Sequence, residues 1–300
     1  MRKAIALFLP LTLLISTASC SQKNASPDTP SVSSTEATTE TASEQTEETA
    51  TEAETSAKTE IKFDGPKYET YAKMTPEEIV ASLTLEQKAA QMVQPAIYNV
   101  TEDDMKANDY GSILSTVGCV DSETWAETVD GFQQAAIDSE AGIPYIYGQD
   151  DVHGVNYCRD AVYFPHNIGQ GAANDEELAY QVGLITADEA KLCHMMWNFS
   201  PCVAQSVDPR WGRTYESYGS DLETITKLST AYTKGLIDGG LVACTKHFFA
   251  DGNVLYGTGE PGDTYMLIDR GDAQLTDDEI NELLKVYQAQ IDAGVQTIMI

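Results

Sequence analysis

A chain of 300 residues with 47 acidic and 18 basic side chains carries a formal net charge of −29. Phosphate binding draws on clustered lysine and arginine, so this balance excludes nucleic acid as a partner and favours a neutral one. Its six cysteines lack paired spacing, its four histidines are scattered, and no glycine-rich phosphate loop is present, which argues against a metal centre and against phosphate chemistry.

Arg2-Lys3, an apolar run from Ala4 to Ile15 and the small residues Ser16 to Ser19 precede Cys20. The run is too short for a membrane span, and the layout is that of an export signal over residues 1–20. It resembles a bacterial lipoprotein signal, which would make Cys20 a lipid anchor. Thr17 stands where that pattern carries leucine, and an ordinary cleaved secretory signal is the alternative. Residues 21–61 are Ser, Thr, Ala and Glu with almost no large apolar side chain, and hold nine acidic against two basic residues. Nothing there offsets the entropy of ordering, so the stretch is predicted to be a disordered tether.

Folded sequence begins near Lys62. Thr75-Pro76-Glu77-Glu78 and Thr84-Leu85-Glu86-Gln87 read as helix starts. Short apolar runs at Gly111–Val117, Pro144–Gly148, Met195–Phe199, Leu241–Thr245 and Val295–Ile300 then alternate with helical stripes. The stripes are Trp125, Val129, Phe132, Ala136; Leu178, Val182, Ile185; Leu222, Ile225, Leu228, Tyr232, Leu236; and Ile280, Leu284, Tyr287, Ile291. Capping boxes are predicted at Asn174 with Glu177, Ser220 with Glu223 and Thr276 with Glu279, and glycines follow at Gly142, Gly239-Gly240 and Gly294. Strand, helix, strand at this spacing means parallel strands joined by right-handed crossovers, an α/β domain. The cysteines after Cys20 (Cys119, Cys158, Cys193, Cys202, Cys244) read as buried free thiols.

Polar residues cluster just past the strands. Asp150 and His153 follow the second, Arg210 and Arg213 the third, and Lys246-His247 the fourth. In a barrel of parallel strands these carboxyl ends form the rim where sites are built. The stretch from Trp197 to Gly219 is the densest: Arg210 and Arg213 offer forked donors, Asp208 and Glu216 can hold them, and Trp211, Tyr215 and Tyr218 give flat apolar faces. Such a loop suits a hydroxyl-rich ligand, or is merely pinned by its ion pairs. Trp211 and Tyr215 fit either core or platform; His153 and His166 read as loop-holding residues, and His194 as structural.

Six motifs, LTLEQKAAQM (83–92), GIPYIYGQDDVHG (142–154), FPHNIGQGAA (164–173), WNFSPCVAQSVDPRWGRTYESYG (197–219), TKHFFADG (245–252) and IDAGVQTIMI (291–300), occur in an order that resembles the amino-terminal barrel of glycoside hydrolase family 3. The resemblance implies a (β/α)8 TIM-like barrel, incomplete here at about five βα units over residues 62–300, and a retaining, exo-acting enzyme with no cofactor. It implies that Asp150, Arg213, Lys246 and His247 grip the innermost sugar, with Glu216 orienting Arg213. In the family the nucleophile is an aspartate in a Ser-Asp-Trp-like segment and the acid/base usually comes from a following domain. Both would lie beyond Ile300, so a truncated, inactive and poorly folding piece is expected. The absence of a histidine after His247 in Phe248-Phe249-Ala250-Asp251-Gly252 resembles the β-glucosidase and glucan exohydrolase branch. A β-xylosidase of the same family and a non-catalytic carbohydrate-binding surface lipoprotein are the alternatives.

Overall fold

The computed structural model describes residues 61–260 and 267–300. The export signal, Cys20 and most of the tether lie outside the described residues. Three short helices open the fold: α1 (Lys67–Tyr71), α2 (Pro76–Ser82) and α3 (Leu85–Ala90). Thr75 with Glu78 and Thr84 with Gln87 close reciprocal capping boxes, as their spacing predicts. A fourth helix, α4 (Glu102–Asn108), is boxed by Thr101 and Asp104.

Five strands follow: β1 (Ser112–Leu114), β2 (Ile146–Gln149), β3 (Trp197–Asn198), β4 (Val242–Lys246) and β5 (Thr297–Met299). They lie in the order β1-β2-β3-β4-β5 with every pairing parallel. Helices α5 (Ser122–Ile137), α7 (Glu176–Leu192), α8 (Leu222–Asp238) and α9 (Asp277–Asp292) make the crossovers, and α6 (Asn167–Ala173) interrupts the loop between β2 and α7. Strictly sequential order is that of a barrel and not of a doubly wound sheet, whose strand order reverses. The sheet is a curled half-barrel, an incomplete TIM-like barrel.

The core lies between sheet and helices. Trp125, Met105, Ile113, Met195, Leu236 and Leu241 are fully or almost fully buried, and the Trp125 indole donates to the Tyr147 hydroxyl at 3.1 Å. The α5 stripe is buried as predicted, and so is that of α8 except for the partly exposed Leu222. Two stripes are rotated. Helix α7 buries Ala179, Val182, Gly183, Thr186, Ala187 and Ala190 and leaves Leu178 and Ile185 exposed. The cause is a backbone-to-backbone contact with α8: a Cβ on Gly183 would lie 2.3 Å from the Tyr232 carbonyl oxygen, and one on Gly235 would lie 2.2 Å from that of Tyr180. Small residues bring the two helices that close. Helix α9 buries Leu283, Val286, Tyr287 and Gln290, with Leu284 and Ile291 exposed. The Gln290 amide bonds Ser229 at 2.7 Å and accepts from Thr233 at 2.7 Å, a polar contact that counting apolar positions misses.

Two caps also move by one residue. Asp175 caps α7 and Asp221 caps α8, at 3.1 and 2.8 Å, in place of Asn174 and Ser220. Asn174 is occupied as the left-handed C-cap of α6, and the Asp221 carboxylate serves both the amide and the hydroxyl of Thr224. Thr276 with Glu279 caps α9 as predicted. Cys158, Cys193, Cys202 and Cys244 are buried free thiols; Cys119, in the loop between β1 and α5, is exposed. Among the described residues no helix is long and apolar enough to cross a membrane.

Candidate active site

Strand β2 ends at Gln149 and hands over to Asp150; β4 ends at Lys246 and hands over to His247, joined to it by a cis peptide. The long loop after β3 carries Arg213 into a 3-10 turn, Thr214–Glu216. All four predicted residues therefore converge on one rim. The Lys246 ammonium donates to Asp150 at 2.5 Å; Lys246 is only 2% exposed whereas the Asp150 side chain is 53% exposed. Arg213 grips Glu216 with both prongs, at 2.7 and 2.8 Å. Burial pushes the Glu216 carboxyl up, but the Arg213 bonds outweigh it and hold the group below its ordinary range. Burial likewise pulls the guanidinium down, and Glu216 more than reverses that.

The third contact of Arg213 fixes a tautomer. Its Nη2 lies 3.1 Å from His247 Nε2, and His247 Nδ1 lies 2.7 Å from Asp251 Oδ2. Guanidinium can only donate, so Nε2 accepts and the proton sits on Nδ1, donated to Asp251. Glu216, Arg213, His247 and Asp251 thus form one hydrogen-bonded chain along the rim.

Asp150, Arg213, Glu216 and Lys246 line a cleft of about 370 Å³ with His153, His166, Asn156, Tyr157 and Tyr215. His247 contacts it through Arg213. His153 holds its loop as predicted, with Nδ1 at 3.0 Å from the Phe164 carbonyl, and it also faces the cleft. Burial and the neighbouring His166 push its pKa down. The rings of His153 and His166 (centroids 4.2 Å apart) and of His166 and Tyr215 (4.8 Å) build an aromatic wall. That wall was not legible in the sequence, because its members come from two loops, the one between β2 and α6 and the one after β3. Tyr215, 46% exposed, lies on the cleft wall and not in the core; Trp211, 2% exposed, is core, its indole bonded to Asp269 at 3.2 Å. Arg210 stays outside, paired with Asp208 and stacked 4.0 Å over Tyr256. His194 pairs with Asp130 at 2.7 Å on the surface, a structural position.

Asp151, next to Asp150, is fully buried with neither carboxyl oxygen partnered. Its backbone is tied down by Asn198 and Tyr232. Burial, reinforced by Asp150 and opposed by Lys246, pushes its pKa well above the ordinary carboxylate range. Behind the cleft, Cys202, His247 and Asp251 bring one potential ligand atom each within 4.8 Å of one another.

Both carboxylates of the cleft are committed to cations, and a guanidinium and an ammonium face the same space: a site shaped to hold hydroxyl groups rather than a charge. The profile of the glycosyl hydrolase family 3 N terminal domain matches residues 84–300. The chain belongs to that family. A lysosomal beta glucosidase of Dictyostelium discoideum is 32% identical over 46% of this chain and 18% of its own length. A periplasmic beta-glucosidase of Salmonella typhimurium is 26% identical over 76% of this chain and 28% of its own. The crystal structure of an exo-1,3/1,4-beta-glucanase from a Pseudoalteromonas species superposes with a TM-score of 0.67 at 32% identity, covering 78% of this chain and 30% of that one. This family 3 domain therefore spans less than a third of the length of each of these relatives.

Proposed function

We propose that this family 3 domain forms the sugar-gripping wall of an exported, retaining, exo-acting β-glucosidase that releases terminal β-D-glucose from β-glucans or oligosaccharides. The observation that carries the reading is the arrival of Asp150 and Lys246, from the ends of β2 and β4, and of Arg213, from the long loop after β3, in one cleft. Asp150 accepts from adjacent sugar hydroxyls while Lys246 and Arg213 donate to others; His247 and Glu216 hold Arg213 in aim. The Tyr215 and His166 rings offer the apolar face of the pyranose a surface. Asp150 and Glu216 are each taken up by a cation, so in this reading they bind and orient, and the family resemblance gives the attacking and protonating carboxylates of a retaining mechanism to other residues. Export is supported by the first twenty residues and by the periplasmic relative; anchoring through Cys20 rests on the signal alone.

A panel of nitrophenyl glycosides on the full-length protein tests this. The β-glucoside is expected to be turned over faster than the β-xyloside or the N-acetylglucosaminide, with the β-anomer of glucose appearing first by NMR. Preference for the xyloside would move the reading to the sister activity, and glucose binding without turnover of any glycoside would make the protein a carbohydrate-binding lipoprotein.

A further inference from the structure

Behind the cleft, His247, which holds Arg213, is flanked by Asp251, bonded to its Nδ1, and by Cys202, packed in a small core cluster with Ala204, Trp211 and Ile268. Cys202 is fixed beside the end of β4 by a parallel bridge with Lys246, so its sulfur is held next to His247. Asp251 opens the 3-10 turn Asp251–Asn253, aimed by Ala250 in the left-handed region (φ +69°). The sulfur, an imidazole nitrogen and a carboxylate oxygen gather within 4.8 Å of one another, and the second Asp251 oxygen is buried with no hydrogen-bond partner.

We propose that Cys202, His247 and Asp251 bind a thiophilic divalent cation of the Zn2+ class, and that its binding opposes the arrangement that grips the sugar. A sulfur, nitrogen and oxygen donor set selects Zn2+ over Mg2+ or Ca2+, and three protein ligands leave a fourth position for water. Charge agrees with this. Arg213 is matched by Glu216 and Lys246 by Asp150, so a Cys202 thiolate and the Asp251 carboxylate together balance a dication. Binding releases the thiol proton to solvent, and no electron moves. The coupling follows from the imidazole. A metal on Nδ1 leaves the ring proton on Nε2, where it meets the Arg213 N–H now 3.1 Å away, a donor facing a donor. Arg213 must then leave His247, and the cleft loses the aim of its guanidinium. This second half rests on the proposed sugar-binding role; the metal site does not.

The test uses the full-length protein with exposed Cys119 removed as Cys119→Ser, titrated with Co2+. One equivalent is expected to give a near-ultraviolet thiolate-to-cobalt charge-transfer band, displaced by Zn2+. The band is expected to vanish in Cys202→Ser, and affinity in Asp251→Asn to fall about tenfold or more. His194→Ala, a surface change, keeps both, and near-ultraviolet circular dichroism reports whether each variant is folded. No band, or a band that survives in Cys202→Ser, would overturn the site. Zn2+ is further expected to weaken glucose binding in the Cys119→Ser protein and not when Cys202→Ser is added. A cobalt band with glucose affinity unchanged by Zn2+ would overturn the antagonism alone.

Discussion

The Asp150–Lys246 pair makes an asymmetric prediction. Its two members sit in different solvents: Lys246 is 2% exposed, while more than half of the Asp150 side chain meets water. Removing Lys246 therefore leaves a carboxylate that water can solvate, whereas removing Asp150 leaves an ammonium that meets the cleft over only a small area and is poorly solvated. Breaking a buried pair so that one charge is stranded costs about 3–5 kcal/mol, while replacing buried charge with a packed apolar group is about neutral or stabilising. Asp150→Asn is therefore expected to cost about 3–5 kcal/mol. Lys246→Met is expected within about 1 kcal/mol of the parent, and the double variant to recover most of the Asp150→Asn loss. Urea unfolding with a shared m-value reads all three. Equal costs for the two single variants, or a larger cost for Lys246→Met, would refute the argument. Both are expected to lose glucose binding, so Lys246→Met would separate folding from function.

Other outcomes follow from neighbouring features. Asp151 has a folded-state pKa raised above its unfolded value, so its stabilising contribution is complete below about pH 4 and is lost as pH rises towards the folded value, about 1.4 kcal/mol per unit. Asp151→Asn should gain on the parent as pH rises, measured by urea midpoints from pH 4 upwards, and parallel pH curves would count against it. Gly183→Ala places a Cβ 2.3 Å from the Tyr232 carbonyl oxygen and is expected to cost about 1–3 kcal/mol by the same assay. Tyr215→Ala removes an exposed platform, and stability should change by about 0.5–1 kcal/mol while glucose affinity falls about fivefold by calorimetry.

The parts of the fold that could be read in advance are those in which apolar size and spacing carry the information. The five strands and the α5 and α8 faces came from such patterns. Where helices meet through glycine and alanine, as at Gly183 and Gly235, the largest side chains point away from the contact, and the α7 stripe is misplaced by its own logic. The α9 face is set partly by Gln290, a buried amide that has partners only once α8 is beside it. In the site, position at or just past a strand end offered Asp150, His153, Arg210, Arg213, Lys246 and His247 alike, and the family resemblance singled out Asp150, Arg213, Lys246 and His247 among them. The aromatic wall and the Cys202–His247–Asp251 group were not legible, because each is completed by a residue from a different loop: Tyr215 joins His153 and His166, and Cys202 joins His247 and Asp251.

The pairing of every cation in the cleft with its own carboxylate also sets how the site responds to its medium. In a chain of net charge −29 the cleft lined by Asp150, Lys246, Arg213 and Glu216 is locally neutral. Added salt screens monopoles and barely touches a balanced set of short contacts. Affinity for an uncharged sugar should therefore hold from dilute buffer to seawater-like ionic strength. A uronic acid, repelled by the acidic body of the protein and offered no spare cation at the rim, gains nothing by carrying its charge there.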